Sequence, residues 1–190
     1  MTWLNTQSGY GALTKLLHWL IVVLFAFQFT AANVMLRLDA GATQLGLAQA
    51  TYYNWHKSIG LTALVVALLR LLARKRGQLP DWAATLSTRE RIFVHRAEQV
   101  LYLAMFLMPV SGYLYVTAGG FGVTLFGVWD LPNPMGEWQL LATAAKWTHI
   151  AGSYALLLAV AGHVGLVLRH QLILKDGLLL RMLPGRHRRD

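Results

Sequence analysis

The sequence predicts an all-α integral membrane protein, a four-helix bundle in which residues 1–190 form a single membrane domain. The composition is 56% hydrophobic and only 13% charged, whereas charged residues make up about a quarter of an average soluble domain. The uncharged residues are collected into long segments, and Lys or Arg residues flank those segments. This arrangement is typical of helices that cross a bilayer.

Four segments are long enough to cross the hydrocarbon core of a membrane. The first carries no charge between Lys15 and Arg37, and we expect it to be retained rather than cleaved as a signal peptide, because its apolar run is long. The second segment contains Lys57, which can reach the interface, and Arg70, which needs a partner at membrane depth. The predicted helices span residues 16–36, 52–73, 96–118 and 147–169.

The charge distribution predicts the orientation in the membrane. The chain has 17 Lys and Arg against 8 Asp and Glu, and the basic residues cluster beside the apolar segments, as they do in loops that face anionic lipid. We therefore expect contact with the lipid bilayer rather than with nucleic acid. Two regions carry most of these charges: Arg74, Lys75, Arg76, Arg89, Arg91 and Arg96 between the second and third helices, and Lys175, Arg181, Arg186, Arg188 and Arg189 in the tail. The prediction is a multi-pass protein of the bacterial inner membrane with both termini in the cytoplasm.

The absence of cysteine restricts the redox chemistry that the chain can support. With 0 Cys among its residues, the chain has no thiolate-bound zinc, iron–sulfur cluster, disulfide or covalently attached c-type haem. A redox centre has to use other ligands, and the 7 His residues are the candidates.

Four histidines lie inside the predicted helices at matching depths. His149 and His163 share the fourth helix, and their separation corresponds to about four turns, so that both side chains face the same way with a rise of about 21 Å between them. His18 lies at the inner end of the first helix and His56 at the outer end of the second. This spacing predicts an inner pair, His18 and His163, and an outer pair, His56 and His149.

Each pair can provide two imidazole ligands to one haem iron. We therefore predict two b-type haems between the helices, with metal ligands His18 and His163 at the inner site and His56 and His149 at the outer site. Arg70 follows His56 at the same-face spacing and is expected to bind a haem propionate. Nearby glycines leave room for a flat macrocycle, namely Gly60, Gly152, Gly162 and Gly165.

Other interpretations of the histidines remain open. A single His in a membrane helix can bond a neighbouring helix or take part in a proton relay. His95 is expected to be a polar residue near the membrane surface, His170 to lie at the inner headgroups, and His187 to be solvated in the tail.

At these residues the sequence resembles the bacterial cytochrome b561 family. The resemblance covers nearly the whole chain, and the order and spacing of the histidines are its most specific part. The matching segments are Leu16-Leu17-His18-Trp19-Leu20, Trp55-His56-Lys57-Ser58-Ile59-Gly60, Leu68-Leu69-Arg70-Leu71-Leu72, Pro109-Val110-Ser111-Gly112-Tyr113, Trp147-Thr148-His149, His163, and the tail Leu174-Lys175-Asp176-Gly177.

The resemblance implies a four-helix bundle with two haems b that exchanges electrons with membrane quinone. One type of member oxidises superoxide at the outer face and reduces ubiquinone, so a superoxide:ubiquinone oxidoreductase activity and ubiquinone as a substrate are implied if the chain is catalytic. Relatives often have a histidine where this chain has Glu98, which puts an inner-face role of that histidine in doubt here.

Three functions from different classes follow from these observations. The first is a di-haem cytochrome that joins an outer-face donor or acceptor, either superoxide or a periplasmic redox partner, to quinone. The second is a cytochrome b anchor subunit of a larger dehydrogenase or hydrogenase complex. The third is a haem-free, proton-coupled transporter that uses the same histidines as relays.

Overall fold

The fold is known from a computed structural model that describes residues 2–185. In this range, four helices are long and apolar enough to cross a membrane, so the prediction of an all-α membrane protein is confirmed. They are α1 (Ala12–Arg37), α2 (Gln49–Arg76), α3 (Thr88–Ala118) and α4 (Gln139–Leu168). The expectations for Arg186, His187, Arg188 and Arg189 concern positions outside the described residues.

The helices extend beyond the uncharged segments from which they were predicted. The largest differences are in α3, which begins at Thr88 rather than at residue 96, and in α4, which begins at Gln139 rather than at residue 147. The thickness of the hydrocarbon core limits only the apolar part of a helix. At the start of α3, the Glu90 carboxylate accepts hydrogen bonds from the Ser87 amide at 2.9 Å and from the Ser87 hydroxyl at 2.7 Å, a capping box that fixes this helix end.

Short antiparallel hairpins lie in two of the connections between the helices of the described range. Strands β1 (Thr43–Gln44) and β2 (Leu47–Ala48) pair between α1 and α2. Strands β3 (Val123–Leu125) and β4 (Trp129–Leu131) pair between α3 and α4. The second hairpin is attached to α2, because the Phe126 amide donates to the Ser58 hydroxyl at 2.8 Å.

The described residues divide into two compact units. The first unit contains residues 2–20, Val66–Ala104 and 154–185, and the second contains Ile21–Val65 and Met105–Ser153. That residues 1–190 form a single domain stays a prediction.

Each unit buries small side chains and exposes large apolar ones. Leu158 in the first unit is 76% exposed and Val23 in the second is 64% exposed. Small residues allow helices to approach closely, and large apolar side chains on the outside are suited to lipid. The buried alanines are Ala67, Ala73, Ala97 and Ala104 in the first unit and Ala31, Ala63, Ala118, Ala142 and Ala145 in the second.

In the first unit, the segment after α4 is attached to the start of α1. The chain continues from α4 as a π-helix (Arg169–Leu174) and then a 3-10 helix (Leu178–Arg181). The Lys15 amine donates to the Leu183 carbonyl at 2.9 Å, and the Trp19 indole donates to the Met182 carbonyl at 2.9 Å. These bonds hold the segment beside the helix that carries His18.

Candidate functional site

The first unit brings together the predicted inner pair of histidines. His18 lies on α1 and His163 on α4, and their ring centroids are 6.3 Å apart with an angle of 64° between the ring planes. Both side chains are half-buried.

The second unit brings together the predicted outer pair in a closely similar geometry. His56 lies on α2 and His149 on α4, with ring centroids 6.2 Å apart and an angle of 79° between the planes. Both of these side chains are also half-buried.

These distances fit two imidazoles that bind one metal ion from opposite sides. A metal–imidazole bond is about 2 Å long, and with the size of the rings this places the two ring centres roughly 6 Å apart. Both pairs have this spacing. Within residues 2–185 there is no group of three or more His, Asp or Glu side chains that could hold a metal ion. A bare zinc ion takes at least three protein ligands, so two facing histidines suit a metal that brings its own in-plane ligands, as haem iron does.

The hydrogen bonds of His149 leave its other ring nitrogen free to bind a metal. Its Nδ1 is 2.9 Å from the Met108 carbonyl oxygen and 3.3 Å from the Ser111 hydroxyl. Because a carbonyl oxygen can only accept, Nδ1 carries the proton and Nε2 keeps its lone pair. A backbone carbonyl that orients the ring in this way is the usual partner of a metal-bound histidine.

Most of the glycines near the histidines lie against protein side chains, whereas they were expected to leave open space. A Cβ on Gly60 would meet the Gln28 amide at 2.7 Å, on Gly152 the Met108 sulfur at 2.8 Å, and on Gly162 the Phe93 ring at 2.9 Å. These three glycines therefore allow protein side chains to pack closely. Gly165 is the member of the expected set with open space around it, since a Cβ there meets nothing within 4 Å.

Gly112, on α3, packs directly against a histidine of the second unit. A Cβ at this position would lie 3.0 Å from Cε1 and 3.2 Å from Nδ1 of His149. The sequence could have indicated this glycine only through its place in the Pro109–Gly112 motif, which does not specify its contact.

Arg70 lies in the first unit with part of its guanidinium group unpaired. Its Nε and Nη1 are buried and have no hydrogen-bond partner among the described residues. The guanidinium carbon of Arg70 is 5.7 Å from the centre of the Tyr102 ring. The neighbouring Arg74 differs from Arg70, because it forms an ion pair with Glu98. Buried donors without acceptors are costly, and an anionic group would satisfy them.

The remaining histidines in the described range differ from each other. His95 is exposed, as a residue near the membrane surface would be. His170 is 0% exposed and lies between the carboxylates of Asp176 and Glu90, and its place at the inner headgroups stays a prediction. The sequence indicated neither acid, because Glu90 is 80 residues away in the chain and Asp176, six residues on, follows a π-helix that no local pattern predicted.

The geometry defines a class: a multi-pass membrane protein whose paired histidines suit haem iron. The chain belongs to the prokaryotic cytochrome b561 family, whose family model matches residues 9–185. This confirms the predicted four-helix bundle. It also confirms a membrane electron-transfer function, and proteins of this family bind haem b.

Three relatives illustrate the similarity. Cytochrome b561 homolog 2 of Escherichia coli is 28% identical, in an alignment that covers 96% of this chain and 95% of the relative. Cytochrome b562 of Cereibacter sphaeroides is 29% identical, covering 96% and 100%. A probable superoxide oxidase, CybB, of Yersinia pestis is 26% identical, covering 94% and 97%.

We expect Gly112→Ala to disturb the second unit, because the added methyl group pushes against the His149 ring. Overpacking of this kind typically costs about 1–3 kcal/mol of stability, and displacement of the ring should lower the haem content of the purified protein. Haem content is measured by the pyridine haemochrome assay and stability by thermal unfolding in detergent. The matched control is Gly122→Ala, which adds the same methyl group in the same unit at a position where a Cβ meets nothing within 4 Å. Equal behaviour of the two variants would contradict the contact.

Proposed function

We propose that the chain is a di-haem b cytochrome that carries electrons across the inner membrane between an outer-face donor and membrane quinone. The observation that carries this proposal is the pair of histidine spacings, 6.3 Å in the first unit and 6.2 Å in the second. In this proposal His18 and His163 would hold one haem, and His56 and His149 would hold the other. Because the chain belongs to an electron-transfer family, a haem-free transporter is the weaker alternative.

The protein residues would bind and orient each haem and keep other ligands away from its iron. Haem b supplies a one-electron couple when it is bound. Two imidazoles on one haem iron would leave no position on the metal for oxygen or other small ligands. The Met108 carbonyl fixes the orientation of His149. The unpaired donors of Arg70 suit a propionate, and they would neutralise its charge inside the membrane.

Superoxide is the outer-face donor that we propose, with ubiquinone as acceptor. Two superoxide anions each give one electron and leave as oxygen, and one ubiquinone takes both electrons with two protons to become ubiquinol. The relative in Yersinia pestis is named a probable superoxide oxidase. In the second unit, Lys146 lines a cavity of about 250 Å³ together with Tyr115, Gln139 and Trp147, and Lys57 donates to the Gly122 carbonyl at 3.0 Å. Such cations attract a small anion.

We expect each ligand pair to account for one haem. The wild-type chain should contain about two haems b, and His18→Ala and His56→Ala should each lose about one, because each removes a ligand from a different pair. The measurement is the pyridine haemochrome count together with the reduced-minus-oxidised spectrum. His95→Ala, at an exposed histidine, is the control and should keep both. A full haem complement in either ligand variant would contradict the assignment.

We expect superoxide to reduce the purified chain and, when ubiquinone is supplied, to yield ubiquinol. Lys57→Gln and Lys146→Gln should slow the reduction roughly two- to tenfold, more at low salt, since they weaken electrostatic attraction. Stopped-flow absorbance follows the haem and chromatography follows the ubiquinol. Lys75→Gln, exposed at the end of α2, should leave the rate unchanged. If the isolated chain does not react at all, the superoxide proposal fails and an anchor subunit becomes the better description.

We also propose that both termini face the cytoplasm, on the strength of the basic residues between α2 and α3. A fluorescent protein fused to the C-terminus should then fluoresce, whereas alkaline phosphatase fused at the same position should be inactive. The opposite pair of results would reverse the orientation.

A further inference from the structure

The first unit contains a buried ion cluster that the proposed haem ligands do not include. His170 is fully buried at the start of the π-helix that follows α4. Its Nδ1 is 2.5 Å from the Asp176 carboxylate and its Nε2 is 3.2 Å from the Glu90 carboxylate. Arg169 pairs with the same oxygen of Glu90. Segments of π-helix are rare and frequently occur at functional sites.

The contacts of His170 imply that the cluster holds a proton. A neutral imidazole has one N–H, and an ionised carboxylate can only accept hydrogen bonds. If the imidazole were neutral and both carboxylates were ionised, only one ring nitrogen could donate a hydrogen bond. Both ring nitrogens can therefore bond to carboxylate oxygens only if the cluster holds one additional proton. With this proton, the positive charges of Arg169 and His170 balance the negative charges of Glu90 and Asp176.

The two carboxylates have other donors that keep them ionised when the proton leaves. Ser87 donates to Glu90 through its amide at 2.9 Å and its hydroxyl at 2.7 Å. The Leu178 amide donates to Asp176 at 3.0 Å. Burial raises the pKa of the Asp176 carboxyl, but hydrogen bonds, that from His170 foremost, outweigh burial and hold this pKa below its ordinary value.

His170 is therefore the group that gains and loses the proton. The charged groups that face it are Glu90 from α3, Asp176 from the following segment, and Arg169, which reaches it through Glu90. The contact to Glu90 is the longer of its two, so the proton leaves most readily from Nε2.

The cluster is close in the chain to one of the proposed ligands. His163 precedes His170 by about two turns of helix, which is about 10 Å along the axis, and the two residues lie on nearly the same face. At that distance and an effective dielectric constant of about 20, one added electron changes the proton affinity of a group on the order of tenfold. A tenfold change in proton affinity alters the average occupancy of one proton site by at most about a half, so the electron and the proton are partly linked.

We propose that the proton affinity of the His170 cluster rises about tenfold when the haem held by His18 and His163 gains one electron, so that the cluster takes up part of a proton on reduction and releases it when that electron leaves. The inference rests on the haem ligation of the proposed function. The electron comes from a one-electron donor such as superoxide and passes on to a quinone, and the proton is exchanged with water. The proton then offsets part of the charge that the electron adds to the first unit.

The test is a redox titration of the full-length, haem-loaded protein in detergent at a series of pH values. Uptake of a proton with the electron makes reduction harder as the pH rises, so one of the haem midpoint potentials should fall with pH, by at most about 59 mV for each tenfold change in proton concentration. His170→Gln keeps an amide donor for Asp176 but cannot carry the proton, and this dependence should disappear. His95→Gln removes an exposed histidine and should leave the dependence unchanged. Proton uptake on reduction, followed with a pH indicator in weak buffer, should fall by up to about half a proton per chain in His170→Gln alone.

A second variant guards against a loss of folding in the first. Glu90→Gln leaves His170 in place but removes one of its two anions, and it should move the pH-dependent range to lower pH, which a merely structural role of Glu90 would not do. A wild-type potential that does not depend on pH, or a dependence that survives in haem-loaded His170→Gln, would overturn this inference alone. A wild-type chain that binds no haem would instead overturn the proposed function, and the inference with it.

Discussion

The proposed centres depend on one distance, the separation of about 6 Å between two histidine rings on different helices. In each unit α4 supplies one ring, and the partner comes from α1 in the first unit and α2 in the second. A ring on a long helix is held in place by its backbone, and further contacts set its rotation. For His149 these contacts are the Met108 carbonyl and the close approach of Gly112. Preorganisation of this kind is what a redox centre requires, since the ligands need not move when the charge of the metal changes.

The membrane environment restricts which other polar side chains the helices can contain. Alanines fill the interior of each unit and larger apolar residues face outward, so buried polar side chains are few and need partners. Two residues of the proposed sites are exceptions among the described residues, since Nε and Nη1 of Arg70 and Nδ1 of His56 are buried without a hydrogen-bond partner. Arg74, one turn after Arg70, has Glu98 as a partner. This ion pair gives Glu98 a structural role in this chain.

Periodicity and charge were sufficient to predict the helices and the histidine pairs. Hydrophobic length determines where a helix can cross the membrane, and the same-face spacing of His149 and His163 follows from the geometry of a single helix. The helix ends were harder to predict, because α3 is started by a capping box between Ser87 and Glu90 that lies outside the apolar segment.

The side chains that surround the histidines and the nearby glycines could not be predicted. Gly60 and Gly162 were expected to leave space for a macrocycle, whereas they adjoin Gln28 and Phe93. The sequence also did not indicate that the fold brings Glu90 and Asp176 to the two ring nitrogens of His170 and buries this side chain. Such pairings depend on how the helices pack, which a single sequence does not record.

Electron paramagnetic resonance of the oxidised, purified protein would test the central claim most directly, because the signal reports the axial ligands of each haem iron. If both histidine pairs bind haem as proposed, all of the iron should be low-spin with two imidazole ligands, in two distinguishable centres. A substantial high-spin signal from the intact wild-type protein would mean that a haem has one histidine ligand or none. That result would contradict the assignment of the two pairs.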